Sequence, residues 1–501
     1  MWCAKLVRKL HVTAARTSKW RYLMKEELQN GTEPLRTEEK ESDKVCIYRV
    51  PTNIRHVEPK AYTPSIVSIG PCHRGAPHLQ RMEILKKNLY RRLFDPNGPN
   101  ASKLDEAFDT LERMENEVRS CYMEEIALES DEFLKMMMID GSFIIQLLRD
   151  SSKQEILDPS YLRGRWMLPA IRRDFIMLEN QIPFFVLKEL FDLTNQDSNK
   201  RSLKCLSLEF FYPLLHAHSE CQQHQESEAD PHHFLGLLRS AIVNRHKLKE
   251  QEQAENQHHM IRTATELSEA GVKIKADKNP NRRLLNINFK KRWWMLTREL
   301  IIPPLYINDH RGTVLRNIAA FEKCHKRIKP DVTTYLFFFN GLINSAEDVA
   351  LLHYKGVIHH SLGCDKSVAQ LINNITKEMV RDKKESYLHQ VVNEANRYCG
   401  NMFVRMRAWL VHNYLSGWGV GISTIGAILA LYFTLIQTVY GFKDTMSDWG
   451  SNRFGSLLLE ALFLTPFKGA PKSVASSHGS NNCGDTCREI LSLCMEVCIT
   501  E

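Results

Sequence analysis

An uncharged apolar stretch near the end of the chain, residues 420–440, restricts the fold more than any other feature. Its 21 residues read VGISTIGAILALYFTLIQTVY. A helix rises about 1.5 Å per residue, so this stretch would cover roughly 30 Å, the thickness of a bilayer's hydrocarbon core. Trp418 precedes it, and Tyr432 and Tyr440 lie in its second half, as aromatic residues often do near membrane interfaces. We therefore expect one transmembrane helix over residues 418–442.

Composition describes a large chain of mixed charge with enough apolar residues for a substantial core. It has 501 residues, 43% of them hydrophobic, and its net charge is +8. Residues 1–25 concentrate basic side chains, with seven Lys and Arg and no acid. That bias is typical of an organelle transit peptide and also of a charged N-terminal arm, which we favour. Because most of the other charges are interspersed, we expect no nucleic-acid partner.

Cysteines and flanking charges bear on which side of the membrane the body occupies. Nine of the 13 cysteines are scattered without CxxC pairs, which is typical of reduced thiols in a cytosolic body. Before the apolar stretch lie Arg397, Arg405 and Arg407, and after it lie Lys443 and Arg453. The positive-inside rule therefore gives a narrow preference for a cytosolic body in a single-pass membrane protein, and it leaves the kind of membrane open.

Hydrophobic periodicity predicts a mainly α-helical body with a small β component, an α+β fold. We expect a helix over 104–122 and another over 131–148, with Asp131 as the N-cap of the second. We expect a third helix over 175–193 with an interruption at Pro183. We expect short strands at 46–50, 65–70, 272–275, 284–289 and 299–307. The predicted organisation is a charged N-terminal extension (1–44), a body (45–410) whose halves (45–195 and 262–410) flank a variable polar connection (196–261), the transmembrane helix (418–442) and a C-terminal extension (443–501).

Polar side chains inside two very apolar segments are the best candidates for chemistry. Asp140 lies within DEFLKMMMIDGSFIIQLL, and Glu179 and Asn180 lie between IML and IPFFVL. A buried carboxyl can have a raised pKa and serve as a general acid or base. It can equally be consumed by hydrogen bonds to helix ends and turns, which we favour because no recognisable catalytic motif accompanies these residues.

Two groups of metal-binding residue types occur in other parts of the chain. The first is a histidine-rich stretch in the polar connection, which we interpret as solvated, so we expect no metal and no cofactor. The second is a C-terminal stripe of four cysteines at helical offsets, which could form disulfides with a partner, be acylated, bind metal or be incidental. The residues of the two groups are His216, His218, Cys221, His224, His232 and His233, and Cys483, Cys487, Cys494 and Cys498.

Nine colinear segments resemble a known plant family, the "domain of unknown function 247" or UPF0481-type proteins. The matching segments are IYRVP (47–51), YTPSIVSIGPCHRG (62–75), EFLKMMMIDGSFIIQLL (132–148), DFIMLENQIPFFVLKEL (174–190), TATELSEAGVKIK (263–275), IIPPLYIND (301–309), RNIAAFEKC (316–324), YLFFFNGLINSAEDVALL (335–352) and the final apolar span. The resemblance implies a plant membrane protein with a mostly helical body and a C-terminal anchor. It implies no established reaction, although some relatives in grasses are associated with pollen self-recognition.

These observations favour a membrane-anchored recognition or interaction protein without catalytic activity. The anchor supplies a membrane partner, and a protein partner is expected without being identified. The alternative is a membrane-bound enzyme that uses Asp140, Glu179 and Asn180. The basic start and the tail beyond about residue 450 lie outside the resemblance, so it gives no support for organelle targeting.

Overall fold

The computed structural model describes residues 44–152, 162, 164–195, 201–215, 230–243, 260–279, 284–291, 298–379, 386–410 and 418–447. The chain divides into two compact units, residues 1–413 and 414–501. Nearly all of the N-terminal extension, most of the polar connection and the C-terminal cysteine stripe lie outside the described residues.

Helices dominate the first unit, as the periodicity predicts. Those before the polar connection are α1 (Thr52–Val57), α2 (Gln80–Leu93), α3 (Leu104–Ser120), α4 (Ser130–Ser151), α5 (Met167–Phe175) and α6 (Phe184–Leu193). Those within and after it are α7 (Leu203–Leu215), α8 (Phe234–Val243), α9 (Ala264–Glu269), α10 (Asp309–Cys324), α11 (Asp331–Leu342), α12 (Ala346–Tyr354), α13 (Asp365–Thr376), α14 (His389–Gly400) and α15 (Met402–Leu410). Short 3-10 turns occupy Pro59–Ala61, Pro77–Leu79 and Ala101–Lys103.

The β component consists of two small sheets in the second half of the unit. The strands are β1 (Lys273–Ala276), β2 (Asn288–Lys291), β3 (Arg298–Ile302), β4 (Leu305–Ile307) and β5 (Ile358–His360). Strand β3 is central, parallel to β1 with Ile274 opposite Leu300 and antiparallel to β2 with Phe289 opposite Leu300. Strands β4 and β5 form a separate parallel pair. The mainly helical α+β prediction is therefore confirmed for the body.

Helix α4 is the central element of the first half, because it is apolar on nearly every face. Phe143, Ile144 and Leu147 have no exposed surface, and α2, α3, α6 and α7 pack around them. A helix that is apolar all round must be surrounded by other elements to be stable in water. The predicted N-cap at Asp131 is wrong by two positions, since the helix begins after Glu129 without a side-chain cap.

Two predicted strands are absent from the described residues, at 46–50 and 65–70. The first makes only an isolated parallel bridge between Ile47 and Tyr122. The second is extended without a strand partner, because its backbone amides donate to buried side chains rather than to another strand. Both segments are nevertheless largely buried, so the apolar pattern identified core residues correctly. It did not identify the hydrogen-bond partners of their backbone amides, which for the second segment are side chains rather than a neighbouring strand.

Residues of α10 and of the polar connection contact the first half of the body directly through hydrogen bonds. Asn317 on α10 donates to the Ala61 carbonyl at 2.8 Å and accepts from the Leu178 amide at 3.0 Å. The ring of His233 lies 3.0 Å from the Cys46 carbonyl oxygen. These bonds join residues from 139 to 256 positions apart in the chain.

The expected transmembrane helix is not supported. Residues 420–440 do lie in a helix, α16 (Trp418–Ser447). Over the residues that the structure describes, no helix is both long enough and apolar enough to cross a membrane.

Candidate functional site

Five buried polar side chains, one on α4 and four at the end of α5 and in the break before α6, hydrogen-bond to nearby backbone groups, and we call them the polar clamp. It includes the three sequence candidates and two neighbours. Its members are Asp140, Asp174, Glu179, Asn180 and Gln181, each at most 2% exposed.

Asp174 holds the start of the extended segment. Its carboxylate accepts from the backbone amides of Ser65, Ile66 and Val67 at 2.7 to 3.1 Å. Burial raises the pKa of Asp174, and these three amides oppose that shift. Three amides converging on one carboxylate form an anion-binding nest whose anion is supplied by the protein itself.

Asn180 and Gln181 hold the middle of the segment and the break between the helices. Asn180 accepts from the Ile69 amide at 2.7 Å and donates to the Val67 and Asp174 carbonyls, both at 3.0 Å. Gln181 donates to the carbonyl of Phe175, the last residue of α5, and to the carbonyl of Met177, which also accepts from the Asn180 amide. Pro183 is the residue before α6, so the helix predicted over 175–193 with an interruption at Pro183 is correct only from Phe184 onward, and residues 176–182 are not helical.

The carboxylate of Glu179 contacts a backbone amide and three basic side chains from residues 49–73. Its Oε1 accepts from the Val50 amide at 2.7 Å and pairs with Arg55, while Oε2 lies 3.3 Å from His73 Nε2 and 3.4 Å from Arg49. Burial alone would raise its pKa, but the contacts with His73, Arg55 and the Val50 amide outweigh burial and lower the pKa to about 2. Glu179 is therefore an ionised structural acceptor at neutral pH.

Asp140 forms a buried ion pair with Lys86 across α4 and α2. Lys86 Nζ lies 2.8 Å from Asp140 Oδ1, and the Gly70 amide donates to Oδ2 at 2.9 Å. Burial raises the pKa of Asp140 and the contacts with Lys86 and Gly70 oppose it. Gly70 is required at this point, because its φ is +72° and a Cβ there would lie 2.5 Å from the Gln181 carbonyl oxygen.

The structure thus brings all three candidates together around one segment of backbone. The sequence analysis did not single out Asp174, a member of the clamp, or Lys86, the ion-pair partner of Asp140. Asp174 could have been found, since it begins the apolar run DFIMLENQIPFF and polar groups in such surroundings need partners. Lys86 could not, because on sequence it is one of many basic residues on an amphipathic helix.

A surface cleft of about 230 Å³ opens beside the clamp, and we call it the acidic cleft. Its floor is apolar and its rim carries two adjacent carboxylates and one arginine. Arg49 pairs with Glu124 at 2.7 Å, while Glu125 makes no hydrogen bond or ion pair with the described residues. The lining residues are Ile47, Tyr48, Arg49, Pro71, Cys72, Tyr122, Met123, Glu124, Glu125, Ile126, Ala127 and Leu128.

One wall of the cleft, residues 122–128, belongs to the most acidic part of the chain, residues 105–132, which we call the acidic segment. It holds eleven Asp and Glu against two arginines, a net charge of −9 in a chain whose total is +8. All of these carboxylates except Glu115 are on exposed residues. They run along α3, through the cleft wall and into the first turn of α4.

Histidines from the polar connection are only partly described. His232 and His233 lie beside His325, with the rings of His232 and His325 at 5.1 Å. Burial lowers the pKa of His233 to about 3 and that of His325 to about 4. Over the described residues no group of three or more His, Cys, Asp or Glu is placed to hold a metal ion. His216, His218, Cys221 and His224 lie outside them.

The fold and the clamp define a class of protein: a helical α+β body whose buried polar residues hold an extended N-terminal segment against the core. The chain belongs to the DUF247 family, described as plant protein of unknown function, whose sequence profile matches residues 47–433. That range includes the clamp, the acidic cleft and part of α16, and it excludes residues 1–46.

Two relatives from Arabidopsis thaliana are similar over most of their length. UPF0481 protein At3g47200 is 27% identical over 81% of this chain and 88% of its own. Putative UPF0481 protein At3g02645 is 24% identical over 78% of this chain and 89% of its own. No solved structure matches the chain. The family resemblance in the sequence is therefore confirmed.

Proposed function

We propose that this protein is a non-catalytic recognition protein whose acidic cleft binds a basic segment of a partner protein. The observation that carries the proposal is the coincidence of an apolar cleft with the acidic segment. Apolar floors supply affinity through burial, and rim charges select the partner and accelerate its approach. A partner that fits would present a large apolar side chain flanked by Lys or Arg.

Catalysis is a weaker interpretation of the same region. Asp140, Glu179 and Asn180 have their polar atoms engaged by the backbone or by basic side chains and are closed over by the core. The cleft does contain a thiol, that of Cys72. Burial raises its pKa to about 11, against a lesser opposing effect of Arg49, so it is protonated and unreactive at neutral pH.

The exposed carboxylates have the properties of a binding surface rather than of a structural network. Asp105, Asp109 and Glu112 follow one another at helical spacing on α3. Like charges at such spacing destabilise an isolated helix slightly, so their accumulation is a cost that a basic partner would relieve. Pairing with a partner also explains why local arginines do not neutralise most of them.

The test uses two synthetic peptides and the full-length protein in detergent. A labelled 12-residue peptide of alternating Lys and Leu is the probe, and the same peptide with Glu in place of Lys is its control. We expect the Lys peptide to bind and the Glu peptide not to bind. The affinity of the Lys peptide should fall steeply between 0.1 and 1 M salt, because the Debye length shortens from about 10 to about 3 Å. Equal binding of both peptides would contradict the proposal.

Attachment to a lipid bilayer through α16 is the second part of the proposed function. The specific observation is a set of large apolar side chains that are at least half exposed on this helix, or nearly so. Exposing such side chains to water costs about 25 cal/mol per Å² of apolar surface, which acyl chains would remove. The residues are Ile428, Leu429, Leu431, Tyr432, Phe433, Leu435 and Tyr440, from 49% to 70% exposed.

An alkaline wash of membranes tests the attachment. We expect the full chain to stay in the pellet and the double variant Leu431→Lys, Leu435→Lys to move largely to the supernatant. The matched control is the double variant Leu431→Ile, Leu435→Ile, which keeps the apolar surface. Retention of the lysine variant in the pellet would contradict attachment through this helix.

A further inference from the structure

We infer that the basic arm of this same chain, residues 1–25, docks in cis on the acidic cleft and competes with the partner. This inference rests on the proposed function, because it assigns a regulatory ligand to the same cleft. The arm contains Trp2, Leu6 and Leu10 among its basic residues, so it has both the charge and the apolar side chains that the cleft would select.

Charge complementarity is the first argument. The arm carries seven Lys and Arg and no acid, while the acidic segment carries a net charge of −9. Residues 278–298 form a second stretch with seven Lys and Arg and no acid, so charge alone does not select the arm and its connection to the cleft is needed as well. Two opposite and concentrated charges in one chain attract each other over about a Debye length, which is roughly 10 Å at 0.1 M salt.

Connectivity is the second argument. The described chain starts at Lys44, and Ile47, Tyr48 and Arg49 are already lining residues of the cleft. The arm is therefore joined to the very wall on which it would dock. Eighteen residues separate Lys25 from Lys44, and a chain of that length reaches at most about 60 Å when extended.

Covalent attachment makes this docking effective even if each contact is weak. A short linker holds its ligand at an effective concentration in the millimolar range. A partner must then displace the arm, so the arm would set a threshold for binding. Changes that neutralise the arm's lysines or remove the arm would lower that threshold.

The connection between α3 and α4 gives the docking site its accessible edge. Met123 is 64% exposed and lines the cleft next to Glu124 and Glu125. A probe at position 123 would therefore contact whatever occupies the cleft without disturbing the core.

The experiment places a photo-reactive amino acid in the full-length protein, as Met123→benzoylphenylalanine. The matched control is Tyr354→benzoylphenylalanine on α12, a position that is 82% exposed. After irradiation, mass spectrometry identifies the cross-linked peptides. Mixing isotopically light and heavy protein before irradiation separates cross-links within one chain from those between copies.

We expect position 123 to cross-link to residues 1–25 of the same chain, and position 354 not to do so. The yield should fall at least threefold in 1 M salt and in the arm variant Lys5→Glu, Lys9→Glu. The same arm variant should bind the Lys-Leu probe peptide at least threefold more tightly. Mixed light–heavy cross-links, or none to the arm, would overturn the inference.

The outcomes separate this inference from the proposed function. If the Lys-Leu peptide binds the cleft but position 123 never captures the arm, the cleft recognises partners and the cis docking is wrong. If the peptide fails to bind even in the Lys5→Glu, Lys9→Glu variant, the proposed function is wrong as well.

Discussion

The polar clamp and the acidic segment both depend on carboxylate side chains, which are buried in the clamp and exposed in the acidic segment. In the clamp, Asp140, Asp174 and Glu179 are buried, and each accepts several hydrogen bonds or pairs with a base. In the acidic segment, carboxylates such as Glu125 are exposed and have no partner among the described residues. A buried carboxylate must be satisfied within the fold, whereas an exposed cluster of one sign can be satisfied by another molecule. The comparison assigns architecture to the first set and recognition to the second.

The largest effect should come from Asp174→Ala. This change leaves the amides of Ser65, Ile66 and Val67 buried without an acceptor, and each orphaned group costs about 1–3 kcal/mol. We expect the free energy of unfolding, measured in urea, to fall by about 4 kcal/mol. Asp174→Asn is the control, since it keeps one acceptor oxygen and should lose less. Equal stability of Asp174→Ala and the parent would refute the structural role.

Lys86→Met should be nearly as destabilising. It leaves the buried carboxylate of Asp140 without its cation, and breaking one partner of a buried pair costs about 3–5 kcal/mol. Adding Asp140→Asn to Lys86→Met should recover part of that loss. A double-mutant cycle on unfolding free energies measures the coupling, and a coupling near zero would show that the two groups act independently.

Gly70→Ala should cost about 3 kcal/mol, from the positive φ and from the clash with the Gln181 carbonyl. Gly75→Ala is the matched control. Gly75 also has a positive φ, +81°, but nothing lies within 4 Å of its Cβ position. We expect this control to cost only about 1–2 kcal/mol. The difference between the two variants isolates the close approach of the backbone to the clamp.

Acid should destabilise the body through buried histidines. His233 has a pKa of about 3 in the folded state against 6.5 for the unfolded chain, so the unfolded state binds the proton first as the pH falls below 6.5. Stability is then lost progressively toward the folded pKa, by about 2 kcal/mol between pH 6.5 and 5. Glu179, with a pKa of about 2, adds a loss in the same direction below pH 4.5.

The variant His233→Gln isolates the histidine contribution. It should be less stable than the parent at pH 7 and show a flatter pH dependence between 6.5 and 5. Unfolding in urea at several pH values measures this. An unchanged slope in that window would place the titrating group elsewhere.

Glu125→Lys should have the smallest effect on stability. Its side chain is exposed, and a surface substitution of this kind usually changes the unfolding free energy by less than about 0.5 kcal/mol. A loss of 2 kcal/mol or more would mean that the acidic segment contributes to the fold, and the comparison with the clamp would fail.

Helices could be predicted well from the sequence, whereas what satisfies the extended segments could not. A long apolar run such as that of α4 fits a buried helix and no other regular element. The segments 46–50 and 65–70 resemble strands because they are short, apolar and bounded by proline or glycine. Their partners are side chains more than 100 residues away, and no local pattern encodes such a pairing.

The candidate site was predictable to a similar extent. Asp140, Glu179 and Asn180 could be identified because polar groups in apolar surroundings need an explanation. Whether that explanation is catalysis or structure depends on distances to Lys86 and to the Val50 amide, which only the fold supplies. The acidic segment can be recognised in the sequence as a run of Asp and Glu. Its proposed role depends on the cleft, whose walls come from residues 47–49, 71–72 and 122–128 and could not be predicted from the sequence.

The most direct test of the account is the equilibrium affinity of the Lys-Leu probe peptide for two charge-reversal variants of the full-length protein. One is Glu125→Lys at the cleft, and the other is Glu189→Lys on the exposed face of α6. The account predicts about a tenfold weakening for Glu125→Lys, roughly 1.4 kcal/mol, and less than about a twofold change for Glu189→Lys. Equal affinities for the two variants would contradict the claim that the acidic cleft is the recognition surface.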